Sequence, residues 1–170
     1  RPAQIFVREV AGYLRYALAQ FDWQGERFMR EAFRIGNEAI KRENLRLGLT
    51  SESVDYDTRD YLGTTACIAI FHKKGGQPQT TVGALGDVMV LYATVEGLVL
   101  LYSRNQLAEY HRYARPLFHA MIHAENITPA EADRRKKIFK GIAVRNKKKA
   151  VSPASGLPMG FGVLTGEDGA

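Results

Sequence analysis

The order of segments along the chain predicts an α+β fold. Two amphipathic helical stretches come first, apolar extended segments follow, and helical periodicity returns after Asn105. Runs of one class followed by runs of the other suit α+β better than the strict strand–helix alternation of a parallel sheet. With 170 residues, 45 % of them hydrophobic, the chain can bury one core, so residues 1–170 are read as a single domain.

The first helix is predicted over roughly 3–20, because Ile5, Phe6, Val10, Tyr13, Leu14, Ala17, Leu18 and Phe21 recur at helical spacing. The second is predicted from about Glu26 to Leu47, with Phe28, Ala32, Ile35, Ala39 and Ile40 on its inner stripe. Gly25 and Gly48 bracket it, and Gly48 supplies the C-terminal stop. Residues 50–60, "TSESVDYDTRD", are polar and read as an exposed loop. The opening strand is expected at about 64–71, apolar on both faces as a strand covered on both sides must be. "KKGGQPQ" is its turn, and further extended regions follow at roughly 79–95 and 98–102, separated by "VEG". A helix is expected from Asn105 to about Ala124. The next starts with Thr128 as N-cap, Pro129 in the first helical position and Glu131 as capping-box partner. Residues 140–160 read as a mobile surface excursion, and "GFGVLTGE" as a closing strand.

Charge and cysteine content narrow the setting. Nine basic residues and no acidic one lie between Arg134 and Lys149; subtracting that +9 from the net +6 leaves −3 for the rest of the chain. Basicity is therefore a local patch. The single Cys67 excludes an internal disulfide, which fits a reducing, cytoplasmic setting. The longest apolar stretch, near 88–101, is interrupted by Thr94, Glu96 and Gly97, so no membrane span is expected. The chain opens without Met and stops just after a predicted strand; both ends read as cuts within a longer protein.

Two short stretches hold candidate site residues. In "LGTTACIAIF" a glycine, Gly63, precedes the hydroxyls Thr64 and Thr65. A threonine nucleophile works with its own free N-terminal amine as base, which would require a cut after Gly63. The structural reading stands first: the glycine permits a tight strand entrance, and the β-branched threonines favour extended backbone while bonding locally. In "TVGALGDVMVLY", Asp87 would share a face with Leu85, Met89 and Leu91 if the strand were continuous, and a carboxylate there needs a cation, donors or solvent. Gly86-Asp87 is read either as a turn between two short strands or as a metal-binding position.

Other candidates have plainer readings. His119 and His123 stand four apart on a predicted helix with His111 upstream, and are read as partly exposed helix histidines in preference to zinc ligands. The run 134–149 is read first as a solvated face. Docking of an acidic or phosphorylated partner comes second, and nucleic acid third, because only Phe139 interrupts it as an aromatic platform.

Taken together, "AFRIGNEAIKRE", "LGTTACIAIF", "VGALGDVMVLY" and "EGLVLLYSRNQ" resemble the middle of the metal-dependent serine/threonine protein phosphatases, the PPM family. "NITPAEADRR" and "GFGVLTGE" fall where that family has its flap helix and next core strand. The resemblance covers roughly residues 3–166. It implies a four-layer α-β-β-α sandwich of antiparallel sheets flanked by long helices, incomplete in this chain, with 105–158 as a flap-like excursion. It also implies two or more Mg²⁺ or Mn²⁺ ions that activate a water to attack a phosphoserine or phosphothreonine of a phosphoprotein substrate, in a signalling role. The family's main metal-binding aspartate motifs have no counterpart in these 170 residues, so no catalytic residue is assigned within them and the chain alone is expected to be inactive. Asp87 alone carries over as a metal position, for a looser third ion; Val88 replaces the serine that usually follows. Gly63, Thr64, Thr65 and Gly86 are then read as structural residues near the site, and Arg145, Lys147, Lys148 and Lys149, from the basic run, as a substrate-docking group that fits such a flap. Two alternatives remain beside this reading: a catalytically silent phosphatase-like binding domain, and a basic nucleic-acid-binding module.

Overall fold

A computed structural model of the chain describes residues 1–21, 24–86, 88–97, 99–101, 112, 115–145 and 163–166. Its class is α+β. Helices α1 (Pro2–Gln20) and α2 (Glu26–Arg46) come first, followed by strands β1 (Ala66–Lys74), β2 (Gln77–Leu85), β3 (Leu91–Ala93) and β4 (Val99–Leu101). Helices α3 (Arg115–Glu125) and α4 (Pro129–Arg145) complete the described elements. None of these helices is long and apolar enough to cross a membrane.

Local chemistry sets most of the boundaries. Pro2 opens α1, where its missing N–H costs nothing. Gly48, at φ 68°, ends α2, and the Leu49 N–H returns to the Asn44 carbonyl at 2.8 Å. Arg59 adds a guanidinium cap there, donating to the carbonyls of Leu47 at 3.1 Å and Gly48 at 3.0 Å. At α4 the Glu131 N–H donates to Thr128 Oγ1 at 3.3 Å. The reciprocal half of the expected capping box is replaced: the Glu131 carboxylate turns to Arg135 at 2.8 Å and Arg134 at 3.6 Å.

Strands β1 and β2 form an antiparallel hairpin, Ala66 opposite Leu85 and Lys74 opposite Gln77. Gly75 and Gly76, at φ 60° and 80°, give the two positive-φ residues that a tight two-residue turn needs. The single extended region expected over 79–95 is instead two strands, broken at the buried Gly86, whose φ of 93° takes the backbone out of the strand. Strands β3 and β4 make a second antiparallel pair across a turn in which the Gly97 N–H meets the Thr94 carbonyl.

The core lies between the α1–α2 layer and one face of the β1–β2 hairpin. Phe6 and Val10 of α1, Met29, Ala32 and Ile40 of α2, and Ala66, Ile68 and Ile70 of β1 pack with Leu164. Close approach depends on two glycines. A Cβ on Gly36 would enter the Phe6 ring, and one on Gly83 would lie 2.7 Å from both Met29 and Phe33. Along β1 burial alternates, and Cys67, Ala69 and Phe71 point outward, Phe71 82 % exposed. Among the described residues, the strand expected to be covered on both faces is covered on one.

Within the polar loop 50–60, one carboxylate gathers four donors. Asp55 Oδ1 accepts from the backbone N–H groups of Asp57, Thr58 and Arg59, and Oδ2 from the Thr58 hydroxyl at 2.6 Å. These donors hold the Asp55 carboxyl far below the usual carboxylate range, the Thr58 hydroxyl contributing most. Helix α4 lies against this loop: Arg134 pairs with Asp57 at 2.8 Å, and Gly141 leaves no room for a Cβ beside the Tyr56 ring. Phe118 and Phe139 stack at 5.3 Å to join α3 to α4.

Candidate functional site

The strand entrance at Gly63-Thr64-Thr65 meets the late segment 163–166. Thr64 and Leu164 exchange both backbone hydrogen bonds, at 3.1 and 2.8 Å. A Cβ on Gly63 would lie 2.9 Å from Val163 Cγ1, so glycine is what lets the two segments close. The Thr64 hydroxyl donates to the Thr65 carbonyl at 2.9 Å, the local backbone bond expected of a hydroxyl at a strand entrance. The Thr64 nitrogen is a peptide N–H engaged with Leu164, not a free amine able to act as a base. Gly86 is buried just beyond the Ala66–Leu85 pair at the same end of the hairpin.

Helix α2 fastens this junction through two asparagines. Asn44, 2 % exposed, donates through Nδ2 to the Leu62 carbonyl at 3.0 Å and the Thr165 carbonyl at 2.8 Å. Its Oδ1 accepts from the Leu62 N–H at 2.9 Å. Two turns earlier, Asn37 Oδ1 accepts from the Gly166 N–H at 2.8 Å. Gly166 has φ 79° and sits against the Lys41 backbone, where any Cβ would clash. Positions 37, 41 and 44 share one face of the helix, so a single stripe grips both segments. Asn44 went unrecognised in the sequence reading; the signal was its place one turn past Ile40 on the buried stripe. Asn37 lies within the stretch that carries the resemblance.

Comparison of the chain with protein-family models, with curated proteins and with solved structures gave no match. The geometry therefore stands by itself.

Among the described residues no group of three or more His, Cys, Asp or Glu side chains could hold a metal ion. These residues do not by themselves fit a dinuclear Mg²⁺ or Mn²⁺ centre, which needs several carboxylates. Asp87 lies outside the described residues, as do Lys147, Lys148 and Lys149; Arg145 closes α4. His119 and His123 are exposed on α3, while His111 lies outside the described residues. Of the basic run, Arg134 is taken up by Asp57 and Glu131, and Arg135 by Glu131 and Glu125. Lys136 and Lys137 are exposed.

Proposed function

We propose that the chain is the central part of a metal-dependent serine/threonine protein phosphatase. In this reading the complete protein hydrolyses a phosphoester with a metal-activated water, its main metal ligands come from outside these 170 residues, and the sandwich has four layers. The observation that supports it is the meeting of separate motif stretches at one end of the hairpin. Asn37 of "AFRIGNEAIKRE", and Asn44 just past that stretch, bond the backbone at Leu62, beside "GTT", and at Thr165 and Gly166 of "GFGVLTGE". Gly86 of "ALGD" is buried at the same end. The chain's own residues then act as a frame: they hold the entrance of β1 against the segment 163–166, and no catalytic step is assigned to them. Asp87 is the one carboxylate proposed to reach a metal, with Arg145, Lys147, Lys148 and Lys149 as the substrate-docking group.

A second reading, a phosphatase-like domain kept for binding alone, is favoured by the missing carboxylate cluster among the described residues and by Val88 in place of serine. An assay of the full-length parent on a phosphoserine peptide separates the two. Phosphate release that requires Mn²⁺ or Mg²⁺ and stops on chelation supports the enzyme; no release with either metal supports the binding domain.

A further inference from the structure

Helices α1 and α2 bring four arginines to one groove. Arg1 and Arg8 stand on one wall and Arg42 and Arg46 on the other, around a cavity of about 520 Å³ lined on its apolar side by Ile5 and the buried Ala39. Among the described residues, two carboxylates line it, Glu9 and Glu43. Glu43 is committed to Arg46 by paired bonds of 2.7 and 2.8 Å. Glu9 bonds Arg8 at 2.9 Å and lies 4.0 Å from Arg42, beyond hydrogen-bonding distance. Elsewhere on α2, Arg30 pairs with Glu26 and Arg34 with Glu31. The groove therefore carries a surplus of two positive charges. The Arg46 hydrogen bonds hold the Glu43 carboxyl below its usual range, and the Arg1 and Arg8 charges add to the effect, so the guanidinium fields converge inside the groove. The Arg8 and Arg42 side chains are 75 % and 66 % exposed; Arg8 spends Nε and one Nη on Glu9, and Arg42 lies 4.0 Å from the same carboxylate.

A planar guanidinium fork matches the oxygens of a phosphate, and a phosphate monoester carries close to two negative charges at neutral pH. We propose that the α1–α2 groove binds a phosphate monoester dianion, its oxygens held between Arg8 and Arg42 and its organic part against Ile5 and Ala39. This goes beyond the phosphatase reading and stands on α1 and α2 alone. The same group is offered by a free phosphorylated small molecule or by a phosphorylated side chain of a protein.

The test is calorimetric titration of the full-length protein in EDTA, so that no metal centre contributes and failure here is distinct from failure of the phosphatase reading. The probes are O-phosphoserine, a phosphoserine peptide and the same peptide unphosphorylated. The expected result is binding of the phosphorylated probes only, weakened about tenfold or more by Arg8→Gln with Arg42→Gln, as loss of charge-assisted bonds requires. Arg30→Gln with Arg34→Gln, outside the groove, leaves it unchanged and controls for general charge. Equal affinity for O-phosphoserine and the peptide identifies a small-molecule ligand; much tighter peptide binding identifies a protein phosphosite. The proposal is overturned if neither phosphorylated probe binds at about 1 mM, a free energy near −4 kcal/mol, or if the groove variant binds as the wild type does.

Discussion

Asn44 Nδ2 donates to the carbonyl of Thr165, 2.8 Å away and 121 residues further along the chain. With its two bonds to Leu62, this one buried amide joins helix α2, the entrance of β1 and the segment 163–166. Asn44→Ala leaves the Leu62 N–H and two carbonyls without that partner, and we expect a loss of about 3 kcal/mol in urea unfolding. Asn44→Asp should be worse, because a carboxylate would face two carbonyl oxygens. Equal stability of Asn44→Ala and wild type would show that the amide is not a fastening point.

Gly36 sets the separation of α1 and α2. Alanine there gains about 1 kcal/mol of helix propensity but drives a methyl into the buried Phe6 ring. Overpacking of this kind costs about 1–3 kcal/mol, so we expect Gly36→Ala to destabilise by about 1 kcal/mol net. Phe6→Leu in the same chain should recover part of that loss, giving a favourable coupling in a double-mutant cycle. Strict additivity would place the two residues out of contact.

Acid should release the 50–60 loop. The carboxyl of Asp55 is depressed in the folded chain below the roughly 3.9 of an unfolded aspartate. A depressed carboxyl stabilises at pH values above the unfolded pKa, and that contribution fades as pH falls below about 4. The stability gap between wild type and Asp55→Ala should therefore be widest at pH 7, smaller at pH 3, and smaller again as pH falls further toward the depressed folded pKa. A gap that widens on acidification would reverse the assignment.

The segment 163–166 should detach when its glycine is lost. Gly166→Ala combines a positive φ with a clash against the Lys41 backbone. Amide exchange at Thr64 and Leu164, whose N–H groups bond one another's carbonyls, should accelerate in this variant while the β1–β2 hairpin stays protected. Unchanged protection at both amides would mean that the junction tolerates the methyl.

Much of the fold was legible because it is decided locally. Helix ends at Gly48 and Thr128, and the Gly75-Gly76 turn, follow from the backbone freedom or side-chain oxygen of single residues. What depends on partners far along the chain was not legible. Periodicity placed Leu18 and Phe21 on the inner stripe of α1, yet both are exposed, because a stripe does not say how far the surface it faces extends. It gave no reason to single out Asn44, since a polar residue on an apolar stripe is recognisable only from the carbonyls that await it. The break at Gly86 was open between a turn and a continuous strand, and its φ decides against the strand. The candidate site was readable in its glycines and threonines and hidden in the asparagines that fasten them.

The most direct test is the electron paramagnetic resonance of free Mn²⁺ titrated against the 170-residue chain and against its full-length parent. If the chain is the frame of a phosphatase whose main ligands lie elsewhere, the parent should remove two or more ions from the free signal at micromolar concentration, while the chain alone leaves it nearly unchanged. Tight stoichiometric uptake by the chain alone, or none by the parent, would contradict that assignment.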